Sequence, residues 1–317
     1  MVPDAAKGRI RIKPILEGLV LSDQRFAVDP EDIPDMRMKI QYLHGYFLWR
    51  YKMEAWRQRL EDAIHIVTAA GDEARRAQTH LVVEHKMDND YVTQVDQETE
   101  RSIRQAILAR YPQDGFLGEE YGASGDADRL WVLDPIDGTT NYIRGMEEYA
   151  VSLAYLCGGQ PAAGVVYCPR TGTLYTAIQG VGAWKDGKPI HVSADTGLRD
   201  TVIGMAFAHR NPELAPCIRR MVARLMDEAG DMRRSGSAAL DLCRVAEGAY
   251  GGYIEPGLNL YDIAAGVLVV REAGGRVSGF PGEAGALQTG NVLASNGLLH
   301  RAIESIVADS FGRNRDE

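Results

Sequence analysis

The sequence predicts a layered α/β fold with two lobes, and the first evidence is the order of patterns along the chain. Apolar residues recur at spacings of three and four over residues 56–70 and 92–110, which is the period of an amphipathic helix. Short apolar runs bounded by turn residues then indicate strands. These runs lie at 130–133, 151–156, 163–167 and 173–177.

The second half of the chain alternates between the two patterns. Helical spacing indicates helices at 212–229, 236–248 and 261–273, and short apolar runs indicate strands at 202–207, 249–254, 276–278 and 291–294. Because strands that alternate with helices build α/β layers, we expect a second, smaller α/β lobe after residue 190.

We therefore divide the chain into an N-terminal extension at 1–53, an N-terminal α+β lobe at 54–190 and a C-terminal α/β lobe at 191–317. The extension has 9 Lys+Arg against 7 Asp+Glu and ends in a cluster of aromatic residues. Two interpretations stay open for this cluster: a helix packed on the main body, or an arm that makes a dimer contact. The aromatic residues are Tyr42, Tyr46, Phe47, Trp49 and Tyr51.

Composition excludes several classes of protein. Of the 317 residues, 45% are hydrophobic and 25% are charged, which is typical of a globular chain with a sizeable core rather than a disordered one. A net charge of −9 disfavours general nucleic-acid binding, because the phosphates would be repelled. We find no signal-peptide pattern, no long apolar span and no paired cysteines, so we expect a cytoplasmic protein with free thiols.

The most informative string runs from Trp131 to Asn141. A short apolar strand leads to Asp134 and Asp137, which Pro135 and Ile136 separate, and Gly-Thr-Thr-Asn follows. We expect Pro135 to turn the chain directly after Asp134, so that the two carboxylates converge. If the Gly-Thr-Thr-Asn segment opens a helix, its free N–H groups form an anion site beside those carboxylates.

Two further acidic motifs are less specific alone. Glu119 and Glu120 follow a short apolar run, where adjacent acids are usually solvated. Asp262 stands at the start of an apolar helix, where an Asp is most simply a cap. Glu255 lies seven residues before Asp262, after a strand-like run.

Taken together in this order, the motifs resemble those of the inositol monophosphatase family of metal-dependent phosphomonoesterases. The resemblance extends from about Trp56 to Ile306 and implies a layered αβαβα sugar-phosphatase fold, with the active site between the two lobes. Its motifs are Asp90–Asp96, Gly118-Glu119-Glu120, Asp134–Asn141, Gly236–Leu240, Tyr261–Gly266 and Glu272–Gly275.

The resemblance implies a role for each matching residue. Glu119, Asp134, the carbonyl of Ile136, Asp137 and Asp262 would bind two or three Mg²⁺ ions, and an all-oxygen ligand set suits Mg²⁺. Glu120 would either support the residues that bind these metals or itself bind a third metal. Thr139 and Asp96, with Glu119, would activate the attacking water, and Gly138 and Thr139 would hold the phosphate. Asp137, Ala238, Glu255 and Asp262 would contact the substrate. Lys86 matches a family lysine near the metals but stands one residue closer to the aspartate, and a solvated lysine stays open as the alternative.

The implied reaction is the hydrolysis of a small polyol phosphate, most simply inositol 1-phosphate, by metal-activated water. Other branches of the superfamily stay open, because Tyr261 stands where the inositol branch usually has Trp. They act on histidinol phosphate, fructose 1,6-bisphosphate and 3′-phosphoadenosine 5′-phosphate. From the family we also expect a homodimer and inhibition by lithium. A different hypothesis is a regulatory protein that keeps the fold and binds RNA polymerase or another partner, which the N-terminal extension would favour.

Overall fold

The computed structural model describes residues 36–78, 83–87, 90–207 and 211–312. Side chains are described for residues 50–78, 93–207 and 211–312. Lys86 and the aromatic residues at 42–49 therefore lie outside the described side chains. Tyr51, the last aromatic residue of that cluster, is exposed.

Eight α-helices are present in the described part of the chain. They are α1 Met36–Ala77, α2 Gln94–Arg110, α3 Thr139–Ile143, α4 Ala215–Glu228, α5 Ala238–Ala246, α6 Leu260–Glu272, α7 Ala286–Thr289 and α8 His300–Phe311. Short 3₁₀ turns at Leu198–Asp200 and Pro212–Leu214 precede β11 and α4 respectively.

The strands of the described chain form two large sheets and one small one. They are β1 Val83–Met87, β2 Asp90–Thr93, β3 Gly115–Gly118, β4 Gly122–Ser124, β5 Arg129–Asp137, β6 Ala150–Cys157, β7 Gln160–Cys168, β8 Thr173–Ile178, β9 Gly182–Lys185, β10 Lys188–Pro189, β11 Val202–Met205, β12 Asp231–Arg233, β13 Gly252–Glu255, β14 Arg276–Ser278 and β15 Val292–Ser295. An eight-stranded sheet has the order β10-β9-β8-β7-β6-β5-β3-β4, and a five-stranded sheet has the order β12-β11-β13-β15-β14. Strands β1 and β2 pair with each other.

Five layers result, and they confirm the predicted αβαβα architecture. Helices α1 and α2 pack on one face of the eight-stranded sheet. Helices α5 and α6 fill the space between the other face of that sheet and the five-stranded sheet. Helices α4 and α8 cover the outer face of the five-stranded sheet. Each sheet is thus buried on both faces, which explains why its central strands are continuous apolar runs.

The predicted helices and strands are all found, with shifted boundaries. Helix α1 extends the predicted helix at 56–70 in both directions and crosses the proposed boundary at residue 53. The division of the chain into an extension and two lobes stays a prediction. Helix α2 begins at Gln94 rather than 92, because Thr93 caps it. Several short strands and the helices α7 and α8 were not predicted. Strands such as β4 and β12, of three residues each, are too short to show a period.

Two other expectations can be compared with the structure. All four cysteines are free, as predicted. Across the described residues, no helix is both long and apolar enough to cross a membrane. The cytoplasmic location stays a prediction.

Candidate active site

A bulge at the end of β5 brings the two aspartates of the central motif to the same face of the sheet. Asp134 pairs with Ser152 and Asp137 with Ala150, so three steps along β5 oppose two steps along β6. In a regular strand, residues three apart would face opposite sides, and the extra residue restores a common side. The predicted turn after Asp134 is therefore wrong: the strand continues to Asp137. Pro135 is tolerated because a bulge does not need its missing N–H.

Hydrogen bonds fix both carboxylates. The Ser237 hydroxyl donates to Asp137 Oδ2 at 2.6 Å, and the backbone N–H of Ala239 donates to the same oxygen at 2.7 Å. The backbone N–H of Ile136 donates to Asp134 Oδ1 at 3.0 Å. Since Ser237 and Ala239 lie at the start of α5, the Asp137 carboxylate joins β5 to the first turn of this helix.

The other two acidic residues reach the same place from separate elements. Asp262 lies in the first turn of α6, where its Oδ2 accepts a hydrogen bond of 2.6 Å from the backbone N–H of Asn259. Glu119 lies in the turn between β3 and β4. Because β3 and β5 are parallel neighbours and Gly118 pairs with Leu133, the next residues of the two chains, Glu119 and Asp134, lie side by side at one edge of the sheet.

A cavity of about 400 Å³ lies at this edge. It is lined by Glu119, Asp134, Ile136, Asp137, Gly138, Thr139, Thr140, Asn141, Ala206, Phe207, Asn211, Arg234, Gly236, Ser237, Ala238, Asp241, Glu255, Pro256, Gly257, Leu258 and Asp262. The cavity thus receives residues from both sides of residue 190 and lies after Leu133, at the start of α6, where the site was expected. Most of the predicted site residues are brought together here.

Asp96 and Thr139 form a separate pair beside the cavity. Thr139 Oγ1 lies 3.1 Å from the carbonyl oxygen of Ile136 and 3.5 Å from Asp96 Oδ1. Asp96 is 1% exposed, and its Oδ2 accepts hydrogen bonds from the N–H and the hydroxyl of Thr93. Glu120 is also outside the cavity wall, and its N–H donates to Glu100.

Burial makes the ionised form of these acids costly. Burial, together with the nearby Asp262 carboxylate, raises the pKa of Asp137 to about 7. It also raises the pKa of Asp134 well above the usual value, an effect to which Glu119, Asp137 and Asp262 add. Burial raises the pKa of Asp96 to about 6 and that of Glu255 to about 8. The cavity is therefore a place where negative charge accumulates and is poorly compensated by the protein.

The donor set fits a hard divalent cation. Burial and the repulsion from Glu119, Asp137 and Asp262 favour a proton on the Asp134 carboxyl group. A cation that prefers oxygen could replace that proton and relieve the repulsion among the acids. As the side chains stand, no three His, Cys, Asp or Glu residues in the described ranges are arranged to hold one ion together. Binding would thus require the carboxylates to reorient.

Gly138 is required by two features of its surroundings. Its φ of 96° is left-handed, and an added Cβ would lie 2.9 Å from the carbonyl oxygen of Glu148 and 3.2 Å from that of Gly236. Gly145, after the same short helix, has a φ of 72° but nothing within 4 Å of an added Cβ.

This contrast gives a matched test. We expect Gly145→Ala to cost about 1 kcal/mol of unfolding free energy from backbone conformation alone. Gly138→Ala should cost about 2 kcal/mol or more and remove most of the activity, because the chain between Asp137 and Thr139 must shift. Chemical denaturation and phosphate release measure the two effects. Equal stability losses with full activity in both variants would contradict the close approach at Gly138.

The sequence did not single out several residues of the site. Ser237 holds Asp137, and Asn141 donates from its Nδ2 to the carbonyl oxygens of Glu148 and Ser235. Asp241 lines the cavity and accepts a hydrogen bond of 3.1 Å from Arg244. Ser237 and Asn141 belong to two of the motifs that carry the family resemblance, and this membership is the signal that could have pointed to them. Asp241 looks like an ordinary polar residue of a helix.

Comparison with known proteins identifies the family. A model of the Inositol monophosphatase family matches residues 56–311. The chain belongs to this family. The match covers all the cavity-lining residues and leaves out the first 55 residues of the chain, which include the whole proposed extension.

Two bacterial relatives of this chain carry the name Nus factor SuhB. The chain is 42% identical to the protein named Nus factor SuhB of Pasteurella multocida, over 66% of this chain and 79% of that protein. It is 40% identical to Nus factor SuhB of Escherichia coli K12, over 71% and 85% respectively.

Solved structures of the inositol monophosphatase family share this fold. The extragenic suppressor protein suhB of Bartonella henselae is 34% identical, with a TM-score of 0.76 over 79% of this chain and 98% of that chain. The Thermotoga maritima IMPase is 31% identical, with a TM-score of 0.75 over 81% and 99%.

Proposed function

We propose that this chain is a Mg²⁺-dependent phosphomonoesterase that hydrolyses a small polyol phosphate, inositol 1-phosphate first among them. The observation that carries the proposal is the gathering of Glu119, Asp134, Asp137 and Asp262 around one cavity beside the start of α3. Acidic oxygens that favour cations and backbone N–H groups that favour anions are needed together to bind a metal–phosphate pair.

Magnesium, when bound, would supply positive charge for the phosphate and a water of lowered pKa. The carboxylates of Glu119, Asp134, Asp137 and Asp262 and the carbonyl of Ile136 would hold it. Two or three ions per site are the family expectation that we retain.

The protein's own residues orient the attacking water. The Thr139 hydroxyl proton can be donated to the Ile136 carbonyl oxygen or to Asp96 Oδ1. With either acceptor, Thr139 Oγ1 keeps lone pairs that can accept a hydrogen bond from the water. Asp96, with a pKa of about 6, is mostly ionised at neutral pH and therefore favours the Thr139 hydroxyl as a donor toward itself. Glu119 would be the second acceptor for the water.

Substrate choice would depend on other residues of the cavity wall. Ala238 and Glu255 line the cavity, and the Tyr253 hydroxyl donates a hydrogen bond to the Glu255 carboxyl group. Glu255 would accept hydrogen bonds from the hydroxyls of a polyol, which rewards a substrate that carries them.

A panel of esters tests the proposal. Phosphate release is measured with Mg²⁺ on inositol 1-phosphate, fructose 1,6-bisphosphate, histidinol phosphate and 3′-phosphoadenosine 5′-phosphate. We expect inositol 1-phosphate to have the highest kcat/KM, and Glu255→Gln to raise its KM about ten-fold while a simple aryl phosphate changes little. Preference for another ester would overturn the proposed substrate but leave the proposed reaction standing. If none of the four esters is hydrolysed, the proposed reaction is wrong.

The names of the relatives favour a second candidate function. Proteins 40–42% identical to this chain are named Nus factor. We propose as the alternative that the chain binds a protein of the transcription machinery, and RNA polymerase is the partner to test. Binding by purified protein should persist in Asp137→Asn if the two functions are separate.

A homodimer and a cytoplasmic location remain part of the proposal, and light scattering should give twice the chain mass.

A further inference from the structure

Helix α2 carries two buried acidic residues on the face that points toward the proposed site. Asp96 and Glu100 are one helical turn apart, and they are 1% and 0% exposed. Asp96 contacts Thr139, as described above. Glu100 has no place in the reaction proposed above, yet a carboxylate this deeply buried is costly unless it is hydrogen-bonded.

Glu100 is bonded to the turn that carries Glu119. Its Oε2 accepts a hydrogen bond of 2.7 Å from the backbone N–H of Glu120, and its Oε1 accepts one of 3.1 Å from the N–H of Tyr121. Both donors belong to the residues directly after Glu119. One side chain therefore ties the turn between β3 and β4 to the rigid body of α2.

Other contacts of α2 with this hairpin are more exposed. Arg101 donates to the Tyr121 hydroxyl at 3.0 Å and Arg104 donates to Ser124 Oγ at 2.7 Å, and both bonds are accessible to solvent. Exposed polar contacts contribute little to stability. The partly buried bonds of Glu100 are better sheltered from solvent, and we take them as the main attachment of this turn to the helix.

Gly118, the residue just before this turn, leaves room for the Glu100 carboxylate because it has no side chain. An added Cβ on Gly118 would lie 2.0 Å from Glu100 Oε1 and 2.2 Å from its carboxyl carbon. Any other residue at position 118 would have to displace Glu100 or move the strand end. Gly118 and Glu100 thus form one unit, which we call the Glu100 clamp.

We propose that the Glu100 clamp is a positioning device for the metal site, and that Glu100 acts through Glu119 without contacting metal or substrate. The proposal rests on the Mg²⁺ site of the proposed function. Asp134, Asp137 and Asp262 are fixed by β5 and by helix starts, whereas Glu119 lies in a turn. A metal ligand must be held to within about 0.5 Å, and two hydrogen bonds from adjacent backbone groups supply that restraint.

The test compares three variants by calorimetric titration of Mg²⁺ into metal-stripped, full-length protein. Glu100→Gln keeps the shape of the side chain but presents an amide to one of the two N–H donors. Gly118→Ala displaces the carboxylate by a separate route. Glu272→Gln is the matched control. Glu272 also holds a turn, by accepting a 2.9 Å hydrogen bond from the N–H of Gly180, and it lies at the end of α6 opposite to Asp262, outside the cavity wall.

We expect Glu100→Gln and Gly118→Ala to weaken Mg²⁺ binding about ten-fold, the usual effect of losing a group that orients a ligand. The KM for the ester at saturating Mg²⁺ should be unchanged, as should the Mg²⁺ affinity of Glu272→Gln. Thermal unfolding of all three shows how much stability each loses.

Each remaining outcome decides one claim. Wild-type affinity in Glu100→Gln, with a loss of thermal stability like that of Glu272→Gln, would show that Glu100 is structural and overturn the positioning role. Equal weakening in Glu272→Gln would overturn it too. If the wild-type protein binds no Mg²⁺, both the proposed function and this proposal fail. If it binds Mg²⁺ and Glu100→Gln matches it, the positioning role alone fails.

Discussion

Asp137→Asn is expected to lower kcat/KM for Mg²⁺-dependent phosphate release by about a thousand-fold, or about 4 kcal/mol of transition-state stabilisation. The carboxylate loses its charge, and the Asn amide group cannot serve both the metal and the two donors, Ser237 and Ala239. Those donors approach Asp137 Oδ2 at 2.6 and 2.7 Å, so an amide nitrogen turned toward them would be repelled. Steady-state kinetics at saturating Mg²⁺ measures the effect.

The same substitution at an exposed position is the control. Asp128 lies on the surface between β4 and β5, away from the cavity wall. Asp128→Asn should keep wild-type kinetics. Retention of more than about a tenth of the activity in Asp137→Asn would mean that the carboxylate is not a metal ligand of the reaction.

Metal-free protein is expected to lose thermal stability as the pH rises from about 6.5 to 8.5, and Mg²⁺ is expected to restore it. Burial and neighbouring acids raise the pKa of Asp137 from 3.8 to about 7, and burial raises that of Glu255 from 4.5 to about 8. A carboxyl group whose pKa is higher in the folded state binds its proton more tightly there. Deprotonation therefore favours unfolding from the unfolded pKa upward, and the loss is complete only above the folded pKa.

The chosen range of pH separates this effect from the buried histidine. Burial lowers the pKa of His300 to about 4, which makes stability rise with pH up to its unfolded value of 6.5. Above that pH the histidine adds nothing further, while Asp137 and Glu255 still titrate. The two contributions thus have opposite signs and lie in different ranges.

Thermal unfolding with a chelator and with excess Mg²⁺ measures the effect. At the upper pH we expect Mg²⁺ to raise the Tm by roughly 5 °C or more, and at the lower pH by clearly less, because protons then compete with the metal. Asp137→Asn should reduce both the pH dependence and the Mg²⁺ effect. A Tm that rises with pH in the metal-free protein would contradict the electrostatic account of the cavity.

The helices and strands could be predicted because their signals are local, whereas the αβαβα layers and the cavity residues followed from the resemblance to the inositol monophosphatase family. Helical periods at 56–70 and apolar runs such as 151–156 mark buried elements wherever they lie in the fold. The acidic residues that line the cavity stand at the ends of such elements. Their types and order carry the family resemblance, which implied one common site, and the roles assigned to them stay predictions.

What could not be predicted depends on contacts between distant parts of the chain. The bulge that aligns Asp134 with Asp137 is set by pairing with β6, and Pro135 alone suggested a turn. Glu100 is twenty residues from Glu120 in sequence, so its hydrogen bond to that backbone N–H is not visible in any local motif. Burial of a charged residue inside a helix leaves no mark on the period of its apolar neighbours.

The most direct test of the metal-dependent account is a calorimetric titration of Mg²⁺ into metal-stripped wild-type protein and into Asp134→Asn at about pH 8. Four acidic residues at one cavity should give saturable binding to the wild type. Binding should release protons, because burial and the neighbouring carboxylates raise the pKa of Asp134. The variant should lose that binding by at least about ten-fold. Equal affinity in both proteins, or no saturable binding to the wild type, would contradict the assignment of these carboxylates as the ligands of a catalytic metal.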